Sequence, residues 1–491
     1  MQHIKTLKKL KNSGYKSRTI KDELRENLIE KIKLKQNVFD GIVGYEDTVI
    51  PELERAILSR HNINLLGLRG QAKTRIARQM VNLLDEYIPI IEGSELNDDP
   101  LSPITKFGKD KIEEMGDNTP IAWLHRSERY LEKLATPDVS ISDLIGDVDP
   151  IKAANLKLSY ADERVIHYGI IPRSNRCIFV INELPDLQAR IQVALFNILQ
   201  EGDIQIRGFK LRLALDIEFI FTANPEDYTN RGSIVTPLKD RIGSQILTHY
   251  PKTIELSKVI TAQEAHLSVF QKESIMVSDL LATIIERVAF EARQSEFVDS
   301  KSGVSARLTI SAYENLVSTA ERRMLINGEI KTNARIIDLM GIIPAVNGKI
   351  ELVYEGEQEG ASIVAQNLLG KAIRNEFLAH FPNPSTLKKR KESNPYQEIV
   401  NWFADGNSID SFLLDNDKLY AKTVEKIPGL VEVIKQFAPS YIKKDKLIMM
   451  EFVLFGLAEN SLIGKNLLEN GYQFNDILGS MFSKNDFFEE V

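Results

Sequence analysis

The segment from Gly67 to Thr74 constrains the fold of this chain more than any other part of its sequence. It follows the short apolar run INLLGL (63–68) and leads into the helix-like stretch up to Tyr87. A strand, a glycine-containing loop and a helix in this order turn backbone N–H groups around an anion, and a lysine after the loop reaches the outer phosphates. The hydroxyl that follows the lysine is placed to ligate magnesium. The predicted phosphate-binding loop consists of Gly67, Arg69, Gly70, Gln71, Ala72, Lys73, Thr74 and Arg75.

Ala72 is the one departure of this loop from the pattern G-x-x-x-x-G-K-[ST], which has glycine at that position. Alanine tolerates a left-handed or closely approached backbone poorly, so we expect a less permissive loop. Taken alone, the segment also fits an ordinary glycine-containing turn before a helix.

A second polar pair ends the apolar run CIFVINE (177–183), which suits a buried parallel strand. Ligands of open α/β sheets bind at the carboxyl ends of the strands, where Asn182 and Glu183 stand. In P-loop ATPases the first of two such residues is normally Asp, which holds magnesium, and the second is a Glu that polarises the attacking water. Asn182 keeps an acceptor but no negative charge, so weaker magnesium binding is expected.

Three further polar residues follow in chain order. Asn224 ends the apolar segment FIFTAN (219–224), where a neutral amide can orient a water or touch a phosphate. Arg241 follows Asp240 in TPLKDRIGSQI (236–246), and Arg307 begins a predicted helix in SARLTISAYENL (305–316). Each of them alone is more often structural than functional. Their order and separations indicate a common role.

Strands and helices alternate through the first half of the chain, which predicts a three-layer α/β core with a parallel sheet. The pattern from 254 to 381 is helical, with a weak hint of a hairpin at 349–356, and the remainder is mostly helical with an acidic, Phe-rich tail. The predicted domains are a basic helical arm (1–36), an α/β core (37–252), a helical lid (253–380), a linker (381–395) and a C-terminal helical domain (396–491).

Composition narrows the classes of protein that these 491 residues can form. Hydrophobic residues make up 43% and charged residues 27%, as in globular proteins. The single cysteine, Cys177, excludes an internal disulfide, and the sequence has neither an 18-residue apolar run nor a secretory signal. We therefore expect a cytoplasmic protein without a membrane span. The net charge of −7 argues against a general nucleic-acid binder, and the seven histidines show no metal-ligand spacing.

In their order along the chain, these segments resemble the AAA+ ATPases, and within them the branch of magnesium-chelatase I subunits and MoxR-type ATPases. The resemblance covers about Gly41 to Ala372. It includes the segments GIVGYEDTVIPELERAIL (41–58), SISDLIGDVDP (140–150), NILQEGDIQIRG (197–208) and TANPEDY (222–228). The implied fold is a P-loop AAA+ three-layer core with a parallel five-stranded sheet, followed by an all-α lid and a C-terminal helical domain.

The resemblance also assigns a role to each polar residue singled out above. In chain order these are Lys73 and Thr74 of Walker A, Asn182 and Glu183 of Walker B, Asn224 as sensor 1, Arg241 as an arginine finger acting on a neighbouring subunit, and Arg307 as the sensor-2 arginine of the lid. Thr74 and Asn182 would hold Mg²⁺, and ATP would be the nucleotide.

The resemblance further implies a hexameric ring that hydrolyses ATP and remodels or activates a partner, one with a von Willebrand A domain. Two alternatives stay open. Because of Ala72 and Asn182, the chain could be a nucleotide-gated scaffold that hydrolyses ATP weakly or not at all. A σ54-type transcription activator shares the core, but the sequence lacks the GAFTGA segment of that class.

Overall fold

The computed structural model describes residues 4–159, 162–206, 212–225, 233–390 and 394–477. The chain forms two compact units, Met1–Tyr250 and Pro251–Val491. The first unit therefore includes the predicted arm, and the second includes the predicted lid, linker and C-terminal domain. The acidic, Phe-rich tail from 478 onwards lies outside the described residues.

Unit 1 alternates strands and helices. Its strands are β1 (Ile63–Leu66), β2 (Tyr87–Ile91), β3 (Ile121–His125), β4 (Tyr130–Leu134), β5 (Gly146–Val148), β6 (Ile166–Tyr168), β7 (Cys177–Asn182), β8 (Asp203–Gln205), β9 (Arg212–Ala214), β10 (Ile217–Ala223) and β11 (Ser244–Leu247). Its helices are α1 (Leu7–Asn12), α2 (Ile20–Lys33), α3 (Val49–Leu58), α4 (Lys73–Gln79), α5 (Lys106–Met115), α6 (Ile141–Leu144), α7 (Pro150–Leu156), α8 (Ile170–Arg173), α9 (Ala189–Ala194), α10 (Phe196–Glu201) and α11 (Thr236–Arg241). Short 3₁₀ turns occur at Met80–Leu83, Gly116–Asn118, Arg126–Glu128, Glu163–Val165 and Leu184–Asp186.

Five parallel strands form the central sheet in the order β11-β1-β10-β7-β4. Strands β7 and β10 lie in the middle and are buried along nearly their whole length, as expected of continuous apolar runs in a parallel sheet. The predicted three-layer core with a parallel five-stranded sheet is confirmed.

Helices cover both faces of this sheet. Because side chains alternate along a strand, Ile178, Val180 and Ile220 belong to one hydrophobic cluster and Phe179, Phe219 and Phe221 to another. The first cluster includes side chains of α2, α3 and α4, and the second includes those of α6, α8, α9 and α10.

The basic arm is helical, as the sequence indicates, but it is built into unit 1. Ile20, Leu24 and Leu28 recur every four residues on α2, and all three are buried against the sheet cluster. Glu23 of the same helix accepts hydrogen bonds of 2.7 and 2.6 Å from the buried guanidinium of Arg129. The charge of the arm therefore lies on the outer face of a helix whose inner face belongs to the core.

In the described part of unit 1, the antiparallel pairs β2–β3, β5–β6 and β8–β9 lie outside the central sheet. The segment between β8 and β9, at 207–211, lies outside the described residues.

Unit 2 is mainly helical. Its helices are α12 (Ile254–Glu264), α13 (Val269–Ser274), α14 (Asp279–Gln294), α15 (Arg307–Ile326), α16 (Ile343–Asn347), α17 (Tyr354–Glu359), α18 (Ala361–His380), α19 (Pro384–Arg390), α20 (Gln397–Ala404), α21 (Asp417–Val424), α22 (Leu430–Phe437) and α23 (Lys446–Glu459). It has 3₁₀ turns at Ile337–Ile342 and Pro439–Tyr441. Its strands are β12 (Ile275–Met276), β13 (Thr332–Asn333), β14 (Ile409–Phe412), β15 (Gly464–Leu468) and β16 (Gly471–Asn475).

The structure corrects three expectations for unit 2. Strands β12 and β13 pair in the predicted all-α lid, and β14, β16 and β15 form an antiparallel sheet in the predicted helical C-terminal domain. Strand β14 has only four residues, with alternating burial, and such a short run carries little period-2 signal. The hint of a hairpin at 349–356 is wrong, because α17 begins at Tyr354 and Leu352 forms an isolated bridge with Val298.

One hydrophobic cluster extends through unit 2, from Ile275 to Phe474. Phe381, the first residue of the predicted linker, and Tyr396, the residue after its end, are both buried in this cluster, and the Tyr396 hydroxyl donates to the Pro382 carbonyl at 2.7 Å. Among the described residues, no helix is both long and apolar enough to cross a membrane.

Candidate nucleotide-binding site

The loop between β1 and α4 has the backbone course that a phosphate-binding loop needs. Gly67 donates its N–H to the Ala223 carbonyl at 3.1 Å, which joins the start of the loop to β10. Gly70 has φ of 72°, and Ala72 has φ of 58° and ψ of 14°, so both are left-handed. Helix α4 begins at the next residue, Lys73. Alanine therefore occupies the left-handed position at which the sequence pattern has glycine.

Side chains from two other positions pack closely against Gly67 at the start of the loop. A Cβ on this residue would lie 2.0 Å from Thr248 Oγ1 and 2.2 Å from Gln71 Oε1, so only glycine fits. Thr248 Oγ1 donates to Gln71 Oε1 at 2.6 Å, and the Tyr45 hydroxyl lies 3.1 Å from the Gln71 carbonyl oxygen and 2.7 Å from that of His249. Burial raises the pKa of Tyr45 to about 12, so the phenol stays protonated and can donate. Two distant segments thus hold the loop in place.

Lys73 points its amine into the loop. Its side chain is buried, and Nζ donates to the Leu68 carbonyl at 3.0 Å and to that of Gly67. Thr74 follows it, half-buried, in the first turn of α4. The N-cap residue Ala72 has no side-chain group that could accept a hydrogen bond from the first turn of α4, and the positive end of this helix faces the loop.

Asn182 and Glu183 stand where β7 ends. Glu183 has φ of 55°, a left-handed conformation that starts the 3₁₀ turn Leu184–Asp186. Its N–H donates to Thr222 Oγ1 at 3.1 Å, and Thr222 Oγ1 lies 3.3 Å from Asn182 Oδ1. Asn224 follows the end of β10 and is 2% exposed.

The strand register brings these groups to one edge of the sheet. Leu66 lies opposite Ala223, and Phe221 lies opposite Ile181, so β1, β10 and β7 end at nearly the same level. The loop with Lys73, the Asn182–Glu183 pair and Asn224 therefore share the carboxyl edge, as the sequence predicts.

Arg241 lies away from this edge. It is three residues before β11, whose first residue pairs with the first residue of β1, so it stands at the amino side of the sheet. Its Nη2 and Nε lie 2.7 and 3.0 Å from Gln200 Oε1, Nη1 donates to the Pro237 carbonyl at 2.7 Å, and the guanidinium lies 5.1 Å from the Phe196 ring centroid.

Arg307 begins α15 in unit 2, where its side chain is exposed and its N–H donates to Ser305 Oγ at 3.1 Å. Its assigned role remains a prediction. Of the other predicted loop residues, Arg69 is exposed and its carbonyl accepts a hydrogen bond of 3.0 Å from the Tyr250 hydroxyl, and Arg75 is half-buried.

Sequence reasoning missed Tyr45, Thr222 and Thr248. Thr222 carried a usable signal, because it is the polar residue of the run FIFTA (219–223) in a buried strand. Tyr45 and Thr248 carried none, because they meet the loop only after the chain has folded.

The residues at the carboxyl edge suit a nucleotide with Mg²⁺. A lysine amine and a helix N-terminus favour phosphate, and the oxygens of Thr74 and Asn182 are of the kind that Mg²⁺ binds directly or through water.

No protein-family profile and no curated protein matches this chain. Solved structures are similar at low identity. NtrX from Brucella abortus in complex with ADP is 14% identical over 74% of this chain and 70% of its own, with a TM-score of 0.40. A complex between subunits BchI and BchD of magnesium chelatase is 19% identical over 65% of this chain and 98% of its own, with a TM-score of 0.33. A mutant of RuvB from Thermotoga maritima is 12% identical over 78% of this chain and 96% of its own, with a TM-score of 0.34.

These structures are only distantly similar to this chain, so the fold of unit 1 is assigned from its own strands, helices and loop. Unit 1 has five parallel strands between two helical layers, a phosphate-type loop after its first strand, and polar residues where β7 and β10 end. Unit 1 therefore has a three-layer α/β fold of the P-loop type, with a parallel five-stranded sheet.

Proposed function

We propose that this chain is a magnesium-dependent AAA+ ATPase that works as a ring. The observation that supports this most strongly is the meeting of the Lys73 loop, the Asn182–Glu183 pair and Asn224 at one edge of the sheet. These are the parts that phosphoryl transfer to water requires, namely a phosphate cradle, a metal site and a group that orients the water.

In the proposed mechanism, the amine of Lys73 exchanges its bonds to the Leu68 and Gly67 carbonyls for bonds to phosphate oxygens. Thr74 would ligate Mg²⁺, and Asn182 would hold a water of its coordination shell. When bound, the ion supplies positive charge against the phosphates. Glu183 would orient the attacking water together with Asn224.

Arg241 would act on a neighbouring subunit. Its position at the amino side of the sheet and its bonds to Gln200 and Pro237 separate it from the loop of its own chain. An arginine finger in trans contributes about 10³–10⁵ in rate, which would make hydrolysis depend on ring assembly. We propose a homohexamer, with Arg307 sensing the γ-phosphate from unit 2.

The sequence resemblance favours the branch of magnesium-chelatase I subunits and MoxR-type ATPases, and therefore a cytoplasmic remodelling role with a von Willebrand A-domain partner. Strand β5 of the pair β5–β6 and strand β8 of the pair β8–β9 lie in the two segments, 140–150 and 197–208, that resemble the insertions of that branch. The alternative is a nucleotide-gated scaffold, favoured by Ala72 in a left-handed position and by Asn182 in place of Asp.

Steady-state ATP hydrolysis by the purified chain tests the proposal. We expect turnover by the wild type, and a loss of about 10³-fold or more in Lys73→Ala and in Arg241→Ala. Lys239→Ala is the matched control, because it removes an exposed positive charge from the same helix as Arg241. It should leave turnover unchanged.

Mixing the two inactive variants separates action in trans from action in cis. A subunit with Lys73→Ala still offers its Arg241, and one with Arg241→Ala still offers an intact loop. Mixed rings should therefore recover part of the activity. An inert wild type that gains turnover on Asn182→Asp would establish the scaffold instead, and activity in Arg241→Ala equal to wild type would exclude the finger.

A further inference from the structure

Thr222 is a polar side chain inside the most buried strand of the sheet. Strand β10 reads IEFIFTA, and Thr222 is 1% exposed at its penultimate position. The hydroxyl lies between the two polar residues that end β7. It is 3.1 Å from the N–H of Glu183 and 3.3 Å from the side-chain oxygen of Asn182.

The bond to the Glu183 N–H meets a specific need of the backbone. Glu183 has φ of 55°, and a left-handed conformation is costly for a residue with a Cβ, so it persists only where neighbouring groups hold it. The Glu183 N–H meets a side chain of β10, the strand that pairs with β7. Thr222 Oγ1 accepts it there.

The second bond follows from the chemistry of a hydroxyl, which has one proton. Since Oγ1 accepts from Glu183, its proton is available to Asn182 Oδ1. This fixes the direction of the Asn182 carboxamide and leaves the second lone pair of its oxygen for a magnesium-bound water. One hydroxyl thus holds both residues of the pair.

We propose that Thr222 is a positioning residue for ATP hydrolysis, which holds Glu183 and Asn182 in their working geometry without touching the nucleotide. The inference rests on the proposed function. Asn224, two residues further along the chain, continues the alternation of β10 and lies at the same edge. A displacement of the Glu183 turn would therefore move the water-orienting group relative to both the loop and Asn224.

The test compares Thr222→Val, which keeps the shape and removes the hydroxyl, with Thr222→Ser, which keeps the hydroxyl. For Thr222→Val we expect kcat to fall about 100-fold, because misplacement of a reacting group costs that order. KM and the equilibrium binding of a fluorescent ATP analogue should stay within about threefold, because the phosphate loop is unchanged. Thr222→Ser should restore kcat to within about threefold of wild type.

Hydrogen exchange at the Glu183 amide reports on the bond without any turnover. We expect about fivefold faster exchange in Thr222→Val than in Thr222→Ser, from the loss of one hydrogen bond. If Thr222→Val does not fold, as judged by circular dichroism, Thr222→Ala takes its place in the comparison with Thr222→Ser.

Three results would overturn the inference while leaving the ATPase proposal intact: equal kcat in the valine and serine variants, unchanged exchange at Glu183, or a loss of nucleotide binding that matches the loss of kcat. An inert wild-type chain is a different result. It would overturn the proposed function and this role of Thr222 with it.

Discussion

Ala72 offers a direct test of how the phosphate-binding loop is built. Its φ of 58° and ψ of 14° place it in the left-handed region immediately before α4. A residue with a Cβ loses about 1–2 kcal/mol in this conformation, whereas glycine enters it freely. Glycine also gives the unfolded chain more freedom, which costs about 0.4–1 kcal/mol. The balance predicts that Ala72→Gly stabilises unit 1 by about 0.5–1 kcal/mol.

The fluorescence of Trp123 allows the stability of unit 1 to be measured separately from that of unit 2. Trp123 lies on β3, and its Nε1 donates to the Ile4 carbonyl at 2.9 Å. The second tryptophan, Trp402, belongs to unit 2 and can be replaced by phenylalanine in every variant. Urea denaturation followed by Trp123 fluorescence should give a higher midpoint for Ala72→Gly, and its thermal midpoint should rise by about 1–4 °C.

Ala77→Gly is the matched control, because Ala77 lies inside α4, the helix that follows Ala72, and is fully buried. This change should destabilise unit 1 by about 1 kcal/mol from helix propensity, with a further loss from the missing methyl group. If Ala72→Gly lowers the midpoint as Ala77→Gly does, the left-handed backbone at Ala72 is not the source of strain, and the reasoning is refuted.

Three further predictions use the same tryptophan assay, in the unit to which each residue belongs. Removing one partner of the buried Glu23–Arg129 pair, as in Glu23→Gln, should lower the free energy of unfolding by about 3–5 kcal/mol. The double variant Glu23→Leu/Arg129→Met should lower it by less than the sum of the two single changes. Burial raises the pKa of Glu218 from 4.5 to about 8, although Lys21 lies 3.8 Å away. The folded state therefore keeps a proton that the unfolded chain releases, and the free energy of unfolding should fall as pH rises from 4.5 to about 8, by at most about 1.4 kcal/mol per pH unit. Glu218→Gln should reduce this slope, part of which comes from Asp216, whose pKa burial raises to about 6. An unchanged slope in the variant would contradict the assignment. Burial likewise raises the pKa of Glu451 in unit 2 to about 7, so stability there should fall between pH 4.5 and 7, and Glu451→Gln should reduce that dependence.

The candidate site was largely readable from the sequence because its parts are local. Lys73 follows a glycine-containing loop, and Glu183 and Asn224 each follow an apolar run long enough to be a buried strand. Parallel strands must end at a common edge, so the position of each polar residue after its strand predicts that they meet.

The packing of residues 1–36 and 381–395 was harder to predict from the sequence. The basic charge of residues 1–36 is a property of composition, whereas the burial of Ile20, Leu24 and Leu28 depends on a sheet formed by residues far along the chain. The Pro- and Ser-rich segment 381–395 resembles a linker, yet buried residues at both of its ends pack into one core. Local composition does not report which surface a segment will contact.

For the α/β core, the sequence by itself determined the alternation of strands and helices and the polar residues that follow β7 and β10, because hydrophobic periodicity and turn residues act over a few positions. Only the tertiary structure decided that Thr222 would join Asn182 to Glu183, and that Tyr45 and Thr248 would hold the phosphate loop. Those contacts join residues 26 to 177 positions apart. A hydrogen bond of about 3 Å between such residues depends on the register and packing of the whole sheet, which no local pattern encodes.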